Sequence, residues 1–323
     1  MTEATQYYAP LRYVVTADED GWPVRAVLRR RLRCSRRLLV RLKRTELGIT
    51  VNGVRRRVDE PVRAGDVVEI RMTVETSEHI RPEPMALNIL YEDDHLLVVD
   101  KPPGMLVHPT LGQHSGTLAN AVIHHWAQHG EICRFRPAHR LDRDTSGIVV
   151  IAKNAYAHRA LSEQLANRQV RKRYIALVQG KWPHGEIVIE APIGPDPDDP
   201  RKRKVTPDGS PSITRVLLVR NFAEDFALVE AFPETGRTHQ IRVHLFHAGC
   251  PIAGDPLYGE QTGLIARTAL HAAQIEFIHP ATGAPISFSA PLPDDMEQAI
   301  RRLGEANGKG REAHDAEKNE LKP

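Results

Sequence analysis

Short apolar and β-branched runs recur along the second part of the chain, at 96–99, 148–151, 174–178, 187–190, 214–219, 227–231, 238–243 and 274–277. Only two sizeable helical stretches, 118–128 and 155–168, interrupt them, the second with Asn154 placed to cap it. Strands that alternate regularly with helices build a doubly wound parallel sheet. Strands that follow one another directly pair mostly antiparallel and push their helices aside. The pattern therefore predicts an α+β domain over residues 87–303, built on a mixed, mostly antiparallel sheet.

The first part of the chain reads as a separate, small α/β module over residues 11–76. Val24, Val27, Leu28 and Leu32 fall at helical spacing, and Ser35 can cap a second short helix carrying Leu38, Leu39 and Leu42. Ile49-Thr50-Val51 is strand-like, Asn52-Gly53 is a hairpin turn, and further strands follow at 54–58 and 67–70 after the turn Ala64-Gly65-Asp66. Residues 77–86 are polar and hold two prolines, which reads as a linker. Residues 304–323 are rich in charge, Gly and Asn and poor in apolar side chains, which reads as a disordered tail.

The formal charge of +3 is small for 323 residues, but it is unevenly placed. Between Arg25 and Arg44 stand ten Arg or Lys and no Asp or Glu. Such a strip points to a phosphate-bearing partner. Cys34, Cys133 and Cys250 are far apart and form no CxxC pair, which fits a reducing compartment. No stretch approaches the roughly 18 apolar residues of a membrane span. Of the histidines, His239, His244 and His247 crowd one segment, but without the Cys or acidic neighbours and tight spacing of a zinc site, so no metal is expected.

The segment densest in chemistry is His139-Arg140-Leu141-Asp142-Arg143-Asp144-Thr145-Ser146-Gly147, just ahead of the apolar run Ile148-Val149-Val150-Ile151. It sets two carboxylates two residues apart among two arginines. Opposite charge beside a carboxylate favours its anionic form. An ionised, positioned carboxylate can serve as a nucleophile, a base or a salt-bridge partner. Charge content alone also allows a solvated turn leading into a strand.

The whole nonapeptide resembles the catalytic motif of the RluA family of RNA pseudouridine synthases. Three more segments resemble that family in the same order. They are Ile89-Leu90-Tyr91-Glu92-Asp93-Asp94-His95 with Val98-Val99-Asp100-Lys101-Pro102-Pro103-Gly104; Lys172-Arg173-Tyr174-Ile175-Ala176-Leu177-Val178; and Glu234-Thr235-Gly236-Arg237-Thr238-His239-Gln240-Ile241-Arg242-Val243-His244-Leu245, with Gly254-Asp255-Pro256-Leu257-Tyr258-Gly259 after it. The N-terminal module, with Val51-Asn52-Gly53 and Ala64-Gly65-Asp66, resembles the S4 RNA-binding domain. The resemblance implies the pseudouridine synthase fold behind an S4-like domain.

It also implies roles. Asp142 matches the family's catalytic aspartate, with Asp144 left as a structural partner of a nearby arginine or amide. Arg237 matches the position that pairs with that aspartate. Tyr174 matches the tyrosine that packs on the target base and removes the C5 proton as a general base. Arg140 matches the arginine that displaces the base from its stack. Arg36, Arg37, Arg41 and Lys43 would bind RNA on the S4-like face, and the loop Arg201-Lys202-Arg203-Lys204 could track its backbone. His108 and His139 would support the catalytic loop.

Turning uridine into pseudouridine moves a carbon–nitrogen bond to a carbon without gain or loss of electrons, so the reaction needs neither cofactor nor metal. The implied partner is RNA, large-subunit ribosomal RNA in the first place and transfer RNA in the second, met by a cytoplasmic monomer away from any membrane. Two rivals differ in their requirements. A ribosome-assembly protein that kept only the fold should lack Asp142, Tyr174 or Arg237, and all three are present. A hydrolase with an aspartate nucleophile needs a water-activating base or a metal site, and the sequence offers neither in a recognisable motif.

Overall fold

A computed structural model describes residues 5–183, 185–222 and 225–305. The expected tail falls almost entirely on 306–323, outside the described residues, while 294–305 are helical.

The N-terminal module consists of β1 (Leu11–Val14), α1 (Val24–Arg30), α2 (Arg36–Leu42), β2 (Ile49–Val51), β3 (Val54–Arg55) and β4 (Val67–Ile70). Its strands form one antiparallel sheet in the order β1-β4-β2-β3. The helices turn Val24, Val27, Leu28, Leu38, Leu39 and Leu42 onto Val51, Val68 and Ile70, burying the apolar stripe that their spacing predicts. Ser35 starts α2 by accepting a hydrogen bond from the Leu38 amide at 2.9 Å. Asn52 and Gly53 both take positive φ, 49° and 77°, the twist a two-residue hairpin demands.

The second domain carries β5 (Asn88–Glu92), β6 (Leu96–Lys101), α3 (Leu118–Gln128), β7 (Ser146–Ala152), α4 (Ala155–Ala166), β8 (Arg171–Gln179), β9 (Glu186–Glu190), β10 (Ile193–Pro195), β11 (Arg203–Val205), β12 (Ile213–Asn221), β13 (Phe226–Pro233), α5 (Gln240–His247), β14 (Leu270–Ile278) and β15 (Pro285–Ser289). Nine of these strands make one sheet, β5-β6-β7-β14-β8-β13-β12-β9, with β15 on the side of β14. Its pairings are antiparallel except β7 with β14. This is the mixed, mostly antiparallel α+β sheet that the strand pattern predicts. Asn154 caps α4 through the Ala157 amide at 2.9 Å. Among the described residues no helix is long and apolar enough to cross a membrane.

One expected strand is a helix. The alternation over 238–243 predicts an extended segment, but α5 begins at Gln240, directly after His239 in the left-handed region at φ 57°. Gln240 through Leu245 are all buried, the polar Gln240, Arg242 and His244 included. A helix enclosed on every side shows no 3.6-residue hydrophobic rhythm, and its alternating Ile241, Val243 and Leu245 imitate a strand.

The two domains are stitched together. Tyr156, on the first turn of α4, lies in the core of the N-terminal module. Glu75 accepts from Arg41 of α2 and from Arg136 of the larger domain. Past it, Ser77 Oγ accepts from the Phe135 amide at 2.9 Å, Ile80 joins the main core and Glu83 accepts from the Gly116 amide at 2.8 Å. The 77–86 segment thus runs bonded along the larger domain.

Gly147 is where β7 meets β14. Its φ is +110°, and a β-carbon there would overlap the Ala272 carbonyl oxygen and stand 2.7 Å from the Ala272 nitrogen. Both are backbone atoms that cannot swing away. Gly147→Ala is expected to lower the unfolding free energy by about 3 kcal/mol or more. Urea denaturation checks this, and a loss under about 1 kcal/mol would mean that the strand pair adjusts freely.

Candidate active site

The loop from His139 to Thr145 ends where β7 enters the sheet, so its place is set by the β7–β14 pair. Two side-chain donors pin its backbone. Lys101, at the end of β6 and fully buried, donates from Nζ to the carbonyls of Pro102 at 2.8 Å and Arg143 at 3.1 Å. Burial lowers its pKa to about 7, against the pull of Asp144 and Asp142. Arg267 donates to the Asp144 carbonyl at 3.1 Å while gripping Asp295 through Nε and Nη2 at 2.6 and 2.8 Å. His139 Nε2 accepts from the Val150 amide at 3.3 Å. Burial, helped by the charge of Lys172, lowers His139 to about 3 and keeps it neutral. The Asp144 side chain lies 3.4 Å from Arg143.

Held in this way, Asp142 presents a carboxylate that is 23% exposed, at the wall of a cleft of about 510 Å³. Its partner is Arg242 of α5, which donates from Nη1 to Oδ2 at 3.0 Å. The rest of that guanidinium is taken by Asp255, fully buried, in a two-pronged contact from Nε at 2.6 Å and Nη2 at 2.8 Å. Burial would depress the arginine's pKa, but the hydrogen bonds and charges of Asp255 and Asp142 outweigh it and raise the pKa. Asp255 also accepts from the Leu257 and Tyr258 amides at 3.0 and 3.2 Å, and the guanidinium stacks over Tyr258 at 5.1 Å. His239 completes the group: Nδ1 lies 3.0 Å from the Tyr258 hydroxyl and Nε2 3.9 Å from Asp142.

This corrects the expected partner of Asp142. Arg237 lines the same cleft but is exposed, and its Nε reaches the Pro211 carbonyl at 3.4 Å. Residue 237 sits in the turn before α5, and only the helix carries an arginine inward, five positions later. Tyr174 and Arg140 also line the cleft, so four of the expected site residues converge. Burial, with the Asp142 charge added, pushes the Tyr174 phenol upward, away from the deprotonated form that a general base needs. Arg36, Arg37, Arg41 and Lys43 are exposed on the N-terminal module, Arg41 engaged with Glu75. Beside Lys43, a second depression is lined by Arg55, Arg56 and Arg57. In the basic loop, Arg201 and Lys204 pair with Asp199 and Asp196, at 2.7 and 3.6 Å.

A model of the RNA pseudouridylate synthase family matches residues 95–247. The chain is 41% identical over 276 residues to the "Ribosomal large subunit pseudouridine synthase D" of Xanthomonas campestris pv. campestris, covering 81% of this chain and 83% of that one. It is 42% identical to an uncharacterised RNA pseudouridine synthase of Bacillus subtilis over 79% of this chain and 85% of the relative. Among solved structures, "Human RNA Pseudouridylate Synthase Domain Containing 1" superimposes with a TM-score of 0.54 at 25% identity, covering 68% of this chain and 97% of that chain.

Two arginines of one segment make a direct comparison. Arg242→Met strands the buried Asp255 and is expected to destabilise the protein by about 3–5 kcal/mol. Arg237→Met, at an exposed position, should stay within about 0.5 kcal/mol of the parent. Equal losses for the two in urea denaturation would contradict the pairing described above.

Proposed function

The chain belongs to the RNA pseudouridylate synthase family, and we propose that it isomerises uridine in large-subunit ribosomal RNA, with Asp142 as the catalytic carboxylate. The enzyme is an RNA pseudouridine synthase. Its assignment to ribosomal RNA rests on relatives such as the Xanthomonas protein, whose name states that substrate.

One observation carries the mechanistic reading: a carboxylate held by Arg242, itself gripped by Asp255, faces a basic cleft whose wall includes a buried tyrosine. Breaking the bond between ribose C1′ and N1 of uracil leaves an electron-poor sugar carbon and an electron-rich base. An anionic, oriented carboxylate meets the first need as nucleophile or ion-pair stabiliser. Enclosure keeps the detached base in place until C5 bonds to C1′. Tyr174 gives that base a flat surface. Arg140 and Arg237, exposed at the rim, engage RNA around an extruded nucleotide, whose unstacking costs roughly a few kcal/mol.

In the same reading the N-terminal module is an S4-like RNA-docking unit, with Arg36, Arg37, Arg41 and Lys43 as its contacts. Arg55, Arg56 and Arg57 extend that surface. In the same reading the protein acts as a monomer in the cytoplasm.

Asp142→Ala should abolish pseudouridine formation while RNA binding persists. Product formed by that variant would remove Asp142 from its role. A product found in transfer RNA, with ribosomal RNA unmodified, would redirect the substrate. Separately, Arg36, Arg37 and Lys43 all changed to Ala should weaken RNA binding. The slope of log affinity against log salt should then become shallower by about 2–3, because each phosphate that a side chain neutralises adds roughly 0.7–0.9 to it. An unchanged slope would place RNA docking elsewhere.

A further inference from the structure

Lys172 stands out among the charges of the cleft. It precedes Tyr174 by two residues on β8, so both side chains leave the same face of the strand, and both line the cleft with Asp142. Arg173, on the opposite face, meets Glu230 at 2.6 Å, and Arg168 meets Glu234 at 3.1 Å, while Arg140 and Arg237 stand exposed to solvent. Among the described residues Lys172 has no such partner. Burial alone lowers its pKa, to about 8, with no carboxylate acting against it, and its titratable neighbour His139 is neutral. An unpaired, partly buried ammonium is unfavourable in the free protein. Such groups persist where a ligand supplies the missing partner.

The ligand in question, if the function is as proposed, is the uracil of an extruded uridine resting on Tyr174. Phosphates are poor candidates for this inner position, because Arg140, Arg168 and Arg237 occupy the exposed rim. Residues two apart on a strand are separated by roughly 6.6 Å, about the span of a pyrimidine ring with its carbonyl. A flexible four-carbon stem covers what remains.

We propose that Lys172 is a further catalytic residue, whose ammonium donates a hydrogen bond to a carbonyl oxygen of the uracil and stabilises the negative charge that the base acquires when its bond to the ribose breaks. The C1′–N1 electron pair goes to the base and spreads onto O2 and O4, while C1′ faces the Asp142 carboxylate. The base then turns, C5 gives a pair to C1′, the C5 hydrogen leaves as a proton and N1 takes one up. Lys172 keeps its proton throughout, and the sum is an isomerisation. A preorganised donor aimed at developing charge is the arrangement that favours the transition state over the ground state.

The test compares the full chain with Lys172→Met, Lys172→Arg and Lys172→Gln on a uridine RNA that the parent enzyme converts, and on the same RNA with 5-fluorouridine at the target. Lys172→Met should slow single-turnover consumption of the target about 100-fold. RNA affinity and its salt dependence should be unchanged, and the thermal midpoint equal or higher, because an unpaired, partly buried charge has gone. A lysine needed only for structure would lower the midpoint. The deficit should shrink several-fold on 5-fluorouridine, whose more acidic base is the better leaving group, and Lys172→Arg should recover part of the rate. An unimpaired Lys172→Met, a deficit equal on both bases, or weaker binding with a shallower salt slope and a normal rate would overturn the inference. Lys172→Gln decides the matter on the same criteria if the Met variant misfolds. Failure of the underlying function would look different, because the parent enzyme itself would then leave the target uridine unchanged.

Discussion

One guanidinium shared between two carboxylates organises the molecule. Asp255 takes two of the donors of Arg242 and is itself braced by two backbone amides, so the arginine has a single remaining direction in which to offer Nη1. Asp142 lies in that direction. Desolvating such a triad is unfavourable by itself, and its retention makes sense where geometry matters more than stability. The arrangement ties a loop ahead of β7 to a helix after β13, so the cleft exists only once the sheet between them has formed.

The opposite side of the same loop is fixed by backbone chemistry. Lys101 and Arg267 are donors from two distant parts of the chain, and each holds a peptide carbonyl of the loop in place of an acidic side chain. Carbonyl contacts leave the Asp142 carboxylate to Arg242. Gly147 then lets the chain drop into the one parallel strand pairing, against a backbone that leaves no space for a side chain. Rigidity here comes from several modest bonds converging on six or seven residues.

Local chemistry made much of this legible in the sequence. Ser35, Asn154 and Asn52-Gly53 act through neighbours only two or three positions away, and each does in the structure what its type suggests. The strand runs predicted the α+β sheet because they follow one another with few helices between them, even though the central β6 and β7 are buried on both faces. Legibility ended where meaning depends on the third dimension. Arg237 and Arg242 belong to one short segment, and choosing between them required knowing that the chain turns left-handed at His239 and then coils. A reading of 238–243 as a strand hides that inward swing. An arginine between the apolar Ile241 and Val243 was the available signal, because a guanidinium so placed must find an anion. Lys101 lies in a segment that resembles the family, but neither it nor Arg267 pointed to the loop carbonyls that they hold, more than forty residues away in the chain.

Helix α4 has one foot in each half of the protein. Tyr156 near its start is embedded in the N-terminal module, while Leu165 and Ala166 at its end border the cleft. Its twelve residues amount to a rod of roughly 18 Å that does not stretch. A polynucleotide gripped by the module and probed at the cleft would therefore be measured as if by a pair of calipers. Selectivity of this kind would be metric, a matter of how far a uridine stands from the feature that anchors it and not of the letters in between.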